Sequence, residues 1–568
     1  MKKYNLYLYC LLSLCAITAN SLNAQNLLRF PTEIKNGMVS TQDSYATQVG
    51  IDVLKKGGNA IDAAYAIGYV LAVTHPQAGN IGGGGFMLIH DAKNTKTVAL
   101  DYREKAPINA HKDLFLLDNG KVSKQKSRFS ALAIGVPGTV AGLEAAHQRY
   151  GTLNREELMQ YAIDFANDGF IINAGLEIAL SQYRVFLAKH KETKAIFFNN
   201  NTRYKAGDIF KQPALAKTLK RIQKHGEKDF YTGKTAKKLV RYIKSKEGIL
   251  TKDDLKKYRP VWRDVINGDY RSYKIASMPP PSSGGVALVQ ALNVLSHFNI
   301  RKMGHNSTDS THIIADTLKF VYADRATYLG DTDFVDVPVK HLTSKSYAKT
   351  IAEKISTENI IDSKQVFDGV IVTKESNDTT HFVVVDKDGN CVSNTYTLNF
   401  SFGNAMVAPK LGFLLNNEMD DFSAKPGVEN AYGLIGNEKN SIQPEKRMLS
   451  SMTPTIVFKD DKPFIVTGSP GGSQIITTVL QVILNVIDHN MTIEEAVKAR
   501  RFHHQGKPDF LYIEKGFSLK SASQLNEKGF VVKQAKSIGS AQSILIDKEI
   551  MHGTADPRKK NASALGLQ

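Results

Sequence analysis

Thr379 stands in the run Asp378-Thr379-Thr380-His381, where an irregular polar stretch, residues 361–378, gives way to a strand pattern. A threonine hydroxyl attacks poorly unless a base lies beside it. A cut between Asp378 and Thr379 would create one: the new α-amine, whose reference pKa of about 7.7–8.0 lies close to working pH. A second run serves the same chemistry. Gly468-Ser469-Pro470-Gly471-Gly472-Ser473 leads into an apolar helical pattern from Ile475 to Ile487. N–H groups at a helix start lack intrahelical partners and carry the positive end of the helix dipole. Glycine there lets a substrate oxygen come close, which suits an oxyanion hole for acyl transfer. Each run alone is a common local pattern; together they would supply the nucleophile and the oxyanion hole of an acyl-transfer site.

Other chemistries fall away. The glycine-rich run Gly79 to Gly85 lacks a Gly-Lys-[Ser/Thr] ending. It also follows a helix and enters a strand, against the order of a phosphate or dinucleotide loop, so it reads as close backbone packing beside a site. His503 and His504 are neighbours and point apart; of Asp420 and Asp421, only one can easily face a site. HExxH, CxxC and EF-hand spacings are missing from the sequence, so neither a metal nor a cofactor is expected. Cys391, in a strand pattern after Asp388-Gly389, reads as a buried small side chain rather than a nucleophile.

The elements that must position these residues are partly legible. Ala46 to Lys56 has helical spacing and stops at Gly57-Gly58; Asn59 caps a second, Ala-rich helix, roughly Ala60 to Val73. Strands follow at Phe86 to His90 and Val98 to Tyr102. From about Leu132 to Ile360 most patterns are helical, interrupted by the rigid turn Pro279-Pro280-Pro281-Ser282-Ser283-Gly284-Gly285. From Thr379 strand signals dominate: His381 to Asp386 and Val392 to Asn399 form a hairpin around Asp388-Gly389, and Thr455 to Phe458 and Phe464 to Thr467 a second. Hairpins with helices outside them predict a layered α/β sandwich with an antiparallel or mixed sheet.

The chain is 568 residues long, 42% hydrophobic and 23% charged. These are ordinary globular values, which exclude a disordered, collagenous or polytopic membrane chain. The formal charge of +18 suits small acidic substrates or anionic surfaces. The lysines are dispersed, and no cationic stripe interleaved with aromatics marks a nucleic-acid partner. Lys2 and Lys3, the apolar run Leu6 to Thr18 and the small residue Ala24 follow the grammar of a secretory signal peptide, residues 1–24. The mature chain would start at Gln25, be periplasmic or secreted, and keep no membrane span. Cys10 and Cys15 would leave with the leader, so Cys391 remains alone and the mature chain forms no internal disulfide.

The chain resembles the γ-glutamyltransferase, or glutathione hydrolase, family of the N-terminal-nucleophile superfamily. The resemblance is carried by Thr379-Thr380-His381 with the hairpin that follows, Thr395 to Asn399, Leu414 to Phe422, Leu449-Ser450-Ser451-Met452 and the Gly468 to Ser473 loop. In the first half it rests on His75 to Leu88, Asp101 to Pro107, Pro137-Gly138-Thr139 and the Pro279 to Gly285 run. It covers nearly all of the mature chain. It implies a four-layer αββα sandwich, made as a precursor that cuts itself at Asp378–Thr379 into a large subunit, 25–378, and a small one, 379–568.

By the same resemblance Thr379 is the nucleophile and Thr397 the threonine that supports it, with Gly471 and Gly472 as the oxyanion hole. Arg103, Ser450 and Ser451 would hold the α-carboxylate of the γ-glutamyl unit. Asn399, Glu418 and Asp421 would hold its α-amine, and Tyr432 falls in a lid loop. The implied substrates are glutathione and other γ-glutamyl compounds, with water, amino acids or dipeptides as acceptors. Met448, Gln474, Arg500 and Gly506 depart from residues common in relatives, which bears on substrate preference rather than reaction class. Three rivals stand beside this reading: a cephalosporin-acylase-like amidohydrolase, a non-cleaving binder of γ-glutamyl peptides, and a protein that binds anionic surfaces through its charge.

Overall fold

Alternation along Thr379–Asp386 sets the architecture. Phe382 and Val384 join one apolar core, Val383 and Val385 another, and all are fully buried. A strand that is apolar on both faces needs a packed layer on each side. The computed structural model describes residues 33–367, 379–425 and 438–568. The strands that build the two main layers are β1 (Gly37–Thr41), β2 (Gly84–Asp91), β3 (Lys96–Tyr102), β4 (Val261–Arg263), β5 (Ile266–Tyr270) and β6 (Tyr273–Ser277). After the region of the expected cut come β7 (Thr379–Asp386), β8 (Cys391–Thr397), β9 (Thr455–Lys459), β10 (Lys462–Gly468), β11 (Gln542–Asp547), β12 (Ile550–Ala555) and β13 (Ser563–Leu567).

Among the described residues these strands form two antiparallel sheets. One runs in the order β13-β1-β7-β8-β2-β3-β4, the other β12-β11-β10-β9-β6-β5. Val383, Val385, Phe86 and Leu88 from the first sheet pack against Ile456, Val466 and Ile544 from the second. Helices α1 (Ser44–Lys55) and α2 (Ala60–Thr74) cover the outer face of the first sheet. Helices α3 (Gly284–Leu295), α4 (Thr308–Tyr328) and α5 (Gln474–Ile487) cover the second. The result is the expected four-layer αββα sandwich.

Local sequence explains these elements. Asn59 accepts hydrogen bonds from the Ile61 and Asp62 N–H groups, and Asp62 answers to the Asn59 N–H, closing a capping box on α2. Every residue of α2 is buried, as its unbroken apolar run requires. The β7–β8 turn is held by Asp386, whose carboxylate accepts from the Asp388 and Asn390 N–H groups at 3.0 Å each. The stretch from Leu132 to Ile360 is mostly helical, as its patterns read, and the short strands β4, β5 and β6 also lie within it. Their polar positions, the mostly buried Arg263 and the exposed Asp269 and Lys274, leave too few apolar residues to announce a period. Residues 1–32, with the proposed leader, Cys10 and Cys15, lie outside the described residues. Cys391 is buried, and burial pushes its thiol pKa well up, as a packing role requires.

Candidate active site

Register places the two threonines. Thr379 is the first residue of β7 and pairs directly with Thr397, the last of β8. The Thr379 hydroxyl donates to Thr397 Oγ1 at 3.4 Å, a long contact. Thr397 Oγ1 also accepts from the Asn399 N–H at 2.9 Å. Asn399 takes a left-handed φ of 76°, and its side-chain amide donates to the Asn417 carbonyl at 2.9 Å. The strip Gly82 to Gly85 lets β2 press against this end of β8. A Cβ on Gly83 would lie 2.0 Å from the Thr397 carbonyl oxygen. The glycine run is therefore close packing beside the site.

Gly472 shares a cavity wall with Thr379, Thr397 and Asn399. Gly471 and Gly472 have φ of 134° and 57°, conformations that favour glycine, and Ser473 stands just after them at the start of α5, without a side-chain cap. Gly471 adjoins this wall in sequence without lining it. Tyr322 on α4 donates to the Ser473 carbonyl, and the Ser473 hydroxyl donates to Gln505 Oε1. The loop is thus pinned from two sides.

His381, two residues along β7, is fully buried; burial lowers its pKa to about 3, so it is neutral. Its Nδ1 lies 2.8 Å from Thr395 Oγ1. It packs under Gly468, outside the cavity wall, and spaces β7 from the glycine loop.

The charged end of the cavity is built around Arg103, which is 1% exposed. Its guanidinium forms ion pairs with Glu418 through Nη1 and Asp421 through Nη2. Nη2 also donates to the Leu449 carbonyl at 3.2 Å, and Tyr258 donates to the Arg103 carbonyl at 2.9 Å. Glu418 and Asp421 reach the same cation because one 3-10 turn, Glu418–Asp421, carries both; Asp420 turns away towards Arg128. The family resemblance placed Arg103 and these carboxylates at opposite ends of a zwitterion. The structure brings them into direct contact. Glu104 adds a third buried carboxyl, with Oε2 3.9 Å from Arg103 Nη1. Burial raises all three carboxyls above the usual range, Glu104 to about 8, while Arg103 opposes the rise.

Ser450 and Ser451 line the same cavity. The Ser450 carbonyl accepts from both the N–H and the hydroxyl of Ser283, each at 2.7 Å. The Ser451 hydroxyl accepts from Arg325 Nη2 at 3.1 Å. Arg325, from α4, also lines the cavity, and sequence reasoning missed it. A signal existed: Leu318, Val321 and Tyr322 form a buried helical stripe on which Arg325 is the next position. Asp378 and Tyr432 lie outside the described residues.

The histidine pair serves packing. His503 faces Thr477 and Gln505, while His504 faces Asp509 at 3.2 Å. Among the described residues no three His, Cys, Asp or Glu side chains are grouped to hold a metal.

Comparison with known proteins gives the same picture. A family model described as Gamma-glutamyltranspeptidase matches residues 46–566. The Glutathione hydrolase proenzyme of Escherichia coli (strain K12) is 51% identical over 530 residues, covering 93% of this chain and 91% of that protein. The crystal structure of Helicobacter pylori gamma-glutamyltranspeptidase is 46% identical with a TM-score of 0.56, covering 57% of this chain and 93% of that one. Cephalosporin acylase from Bacillus halodurans superposes with a TM-score of 0.83 at 24% identity, over 96% and 99% of the two chains, a likeness of fold.

Proposed function

The chain belongs to the gamma-glutamyltranspeptidase family, and from that premise we propose that it cleaves the γ-glutamyl amide of glutathione and related compounds through an ester on Thr379. The supporting observation is the single cavity wall on which Thr379, Thr397 and Gly472 meet Arg103, Asn399, Glu418, Asp421 and the two serines. Thr379 Oγ attacks the γ-carbonyl carbon and gives its proton to the Thr379 α-amine. The oxyanion is held at the Gly471-Gly472 loop. The C–N bond then breaks, and the α-amine hands the proton to the leaving amine. Water, an amino acid or a dipeptide next attacks the ester, releasing glutamate or a new γ-glutamyl amide.

The free amine requires the precursor to cut itself at Asp378–Thr379, into 25–378 and 379–568. Fold supports a lasting association of the two pieces. β7 and β8 of the second sit between β1 and β2 of the first, so the main sheet is built from both. The name of the Escherichia coli relative, a proenzyme, fits a precursor.

An acylase reading shares the fold but gives no purpose to a buried cation flanked by carboxylates. γ-Glutamyl anilide and glutaryl anilide, which lacks the α-amine, separate the two. The expected outcome is release of aniline from the first and little from the second; equal rates would favour the acylase reading.

Export is proposed from the leader. Among the described residues no helix is long and apolar enough to cross a membrane. Intact-mass measurement of the purified large fragment should give a start at Gln25. Retention of Met1 on protein held in the cytoplasm would defeat the export reading.

A further inference from the structure

We propose that Arg325 is a positioning residue for the substrate's α-carboxylate: it sets both serine donors and supplies a cation that Arg103 alone cannot. The proposal rests on the γ-glutamyl reading of the site. Arg325 is 3% exposed and projects from α4 into the cavity wall. Its Nη2 donates to Ser451 Oγ at 3.1 Å, and its Nε to Ser283 Oγ at 2.9 Å. A hydroxyl that accepts from a guanidinium has a lone pair committed, and its own hydrogen is left to donate elsewhere. For Ser451 that hydrogen can turn into the cavity, towards an arriving carboxylate. For Ser283 it goes to the Ser450 carbonyl at 2.7 Å, which the Ser283 N–H also reaches at 2.7 Å. One guanidinium thus fixes the Ser450-Ser451 turn twice, directly and through Ser283.

Charge gives the second reason. Arg103 is already engaged by Glu418 and Asp421, with Glu104 close behind. Against three buried carboxyls one guanidinium leaves no surplus to attract a further carboxylate. Arg325 brings a second guanidinium to the same cavity wall, near enough to Asp421 to favour its ionised form.

The test compares γ-glutamyl anilide with 4-aminobutyryl anilide, which keeps the amine and lacks the α-carboxylate. Arg325→Met should still self-cleave, because Arg325 serves the ligand and not the scissile bond. Its kcat/KM should fall about tenfold or more for γ-glutamyl anilide, the size of one lost charge-assisted contact. For 4-aminobutyryl anilide it should stay within about twofold of the unsubstituted enzyme. Arg325→Lys keeps the charge but not the fork, and should recover part of the loss. Ser283→Ala should lower the same ratio by less, since it cuts only the indirect arm. An equal loss for both substrates would overturn the proposal. So would failure of both Arg325→Met and Arg325→Lys to self-cleave, which would make Arg325 a folding residue. If the unsubstituted protein does not turn over γ-glutamyl anilide, the function reading itself fails, and that result comes from a separate arm.

Discussion

Thr379→Ala gives a single uncut chain with no γ-glutamyl turnover. The unsubstituted protein, of 62.6 kDa over 568 residues, should give fragments of about 39 and 21 kDa at its own mean residue mass. Self-cleavage needs the Thr379 hydroxyl, which attacks the Asp378 carbonyl and moves the acyl group from nitrogen to oxygen before water releases it. The same substitution removes the nucleophile for the later reaction, and without the cut the α-amine base never forms. Turnover should therefore drop to background, beyond the roughly 10²–10³-fold cost of one oxyanion donor. Thr379→Ser keeps a hydroxyl and should still cut, more slowly. Gel electrophoresis and an anilide assay on one preparation read both effects. A Thr379→Ala protein that is cut at residue 378, or that turns over substrate, removes Thr379 from the mechanism.

Arg103→Ala should damage both binding and stability, because of what Arg103 touches. From sequence its loss would weaken a ligand contact and little else. In the structure it also leaves Glu418, Asp421 and Glu104 in a buried site without their nearest cation. Removing one partner of a buried ion pair costs about 3–5 kcal/mol. The pH dependence has a definite sign. The folded-state pKa values of these carboxyls are already raised, Glu104 to about 8, and losing Arg103 raises them further. Well below about pH 8 Glu104 keeps its proton in both folded proteins, and its contribution to the gap between them is constant. The gap opens where the unsubstituted folded chain releases that proton and the variant, whose value lies higher, does not. Thermal melts of both proteins from pH 6 to 10 should show the gap in midpoint widening as pH rises through about 8. A constant gap would mean that the carboxyls do not depend on Arg103. The Michaelis constant for γ-glutamyl anilide, measured where the variant is folded, should rise.

What was legible in the chain follows from how far apart the deciding contacts lie. The β7–β8 hairpin, the glycine loop and α5 were readable because period-two alternation, a tight turn and an apolar run are local signals. β4 to β6 were not, since half-exposed strands carry charged residues where alternation would show. The zwitterion set was reached through family resemblance, and even so its geometry was hidden. Arg103 meets Glu418 across more than three hundred residues, a pairing that only the sheet topology creates. Arg325 was hidden for another reason: an arginine on a helix reads as solvated unless the helix is known to be buried on that face. The local patterns around Thr379 and the glycine loop were readable; the buried contacts of Arg103 with Glu418 and Asp421 were not.

The central claim is that an N-terminal threonine made by self-cleavage does the chemistry. N-terminal sequencing of the small fragment, from a preparation whose γ-glutamyl anilide hydrolysis has been measured, tests it most directly. The account predicts Thr-Thr-His-Phe, starting at Thr379, in amounts that rise in step with activity as the precursor is cut. A preparation that is fully active while it remains one chain, or whose small fragment begins at another residue, would contradict it.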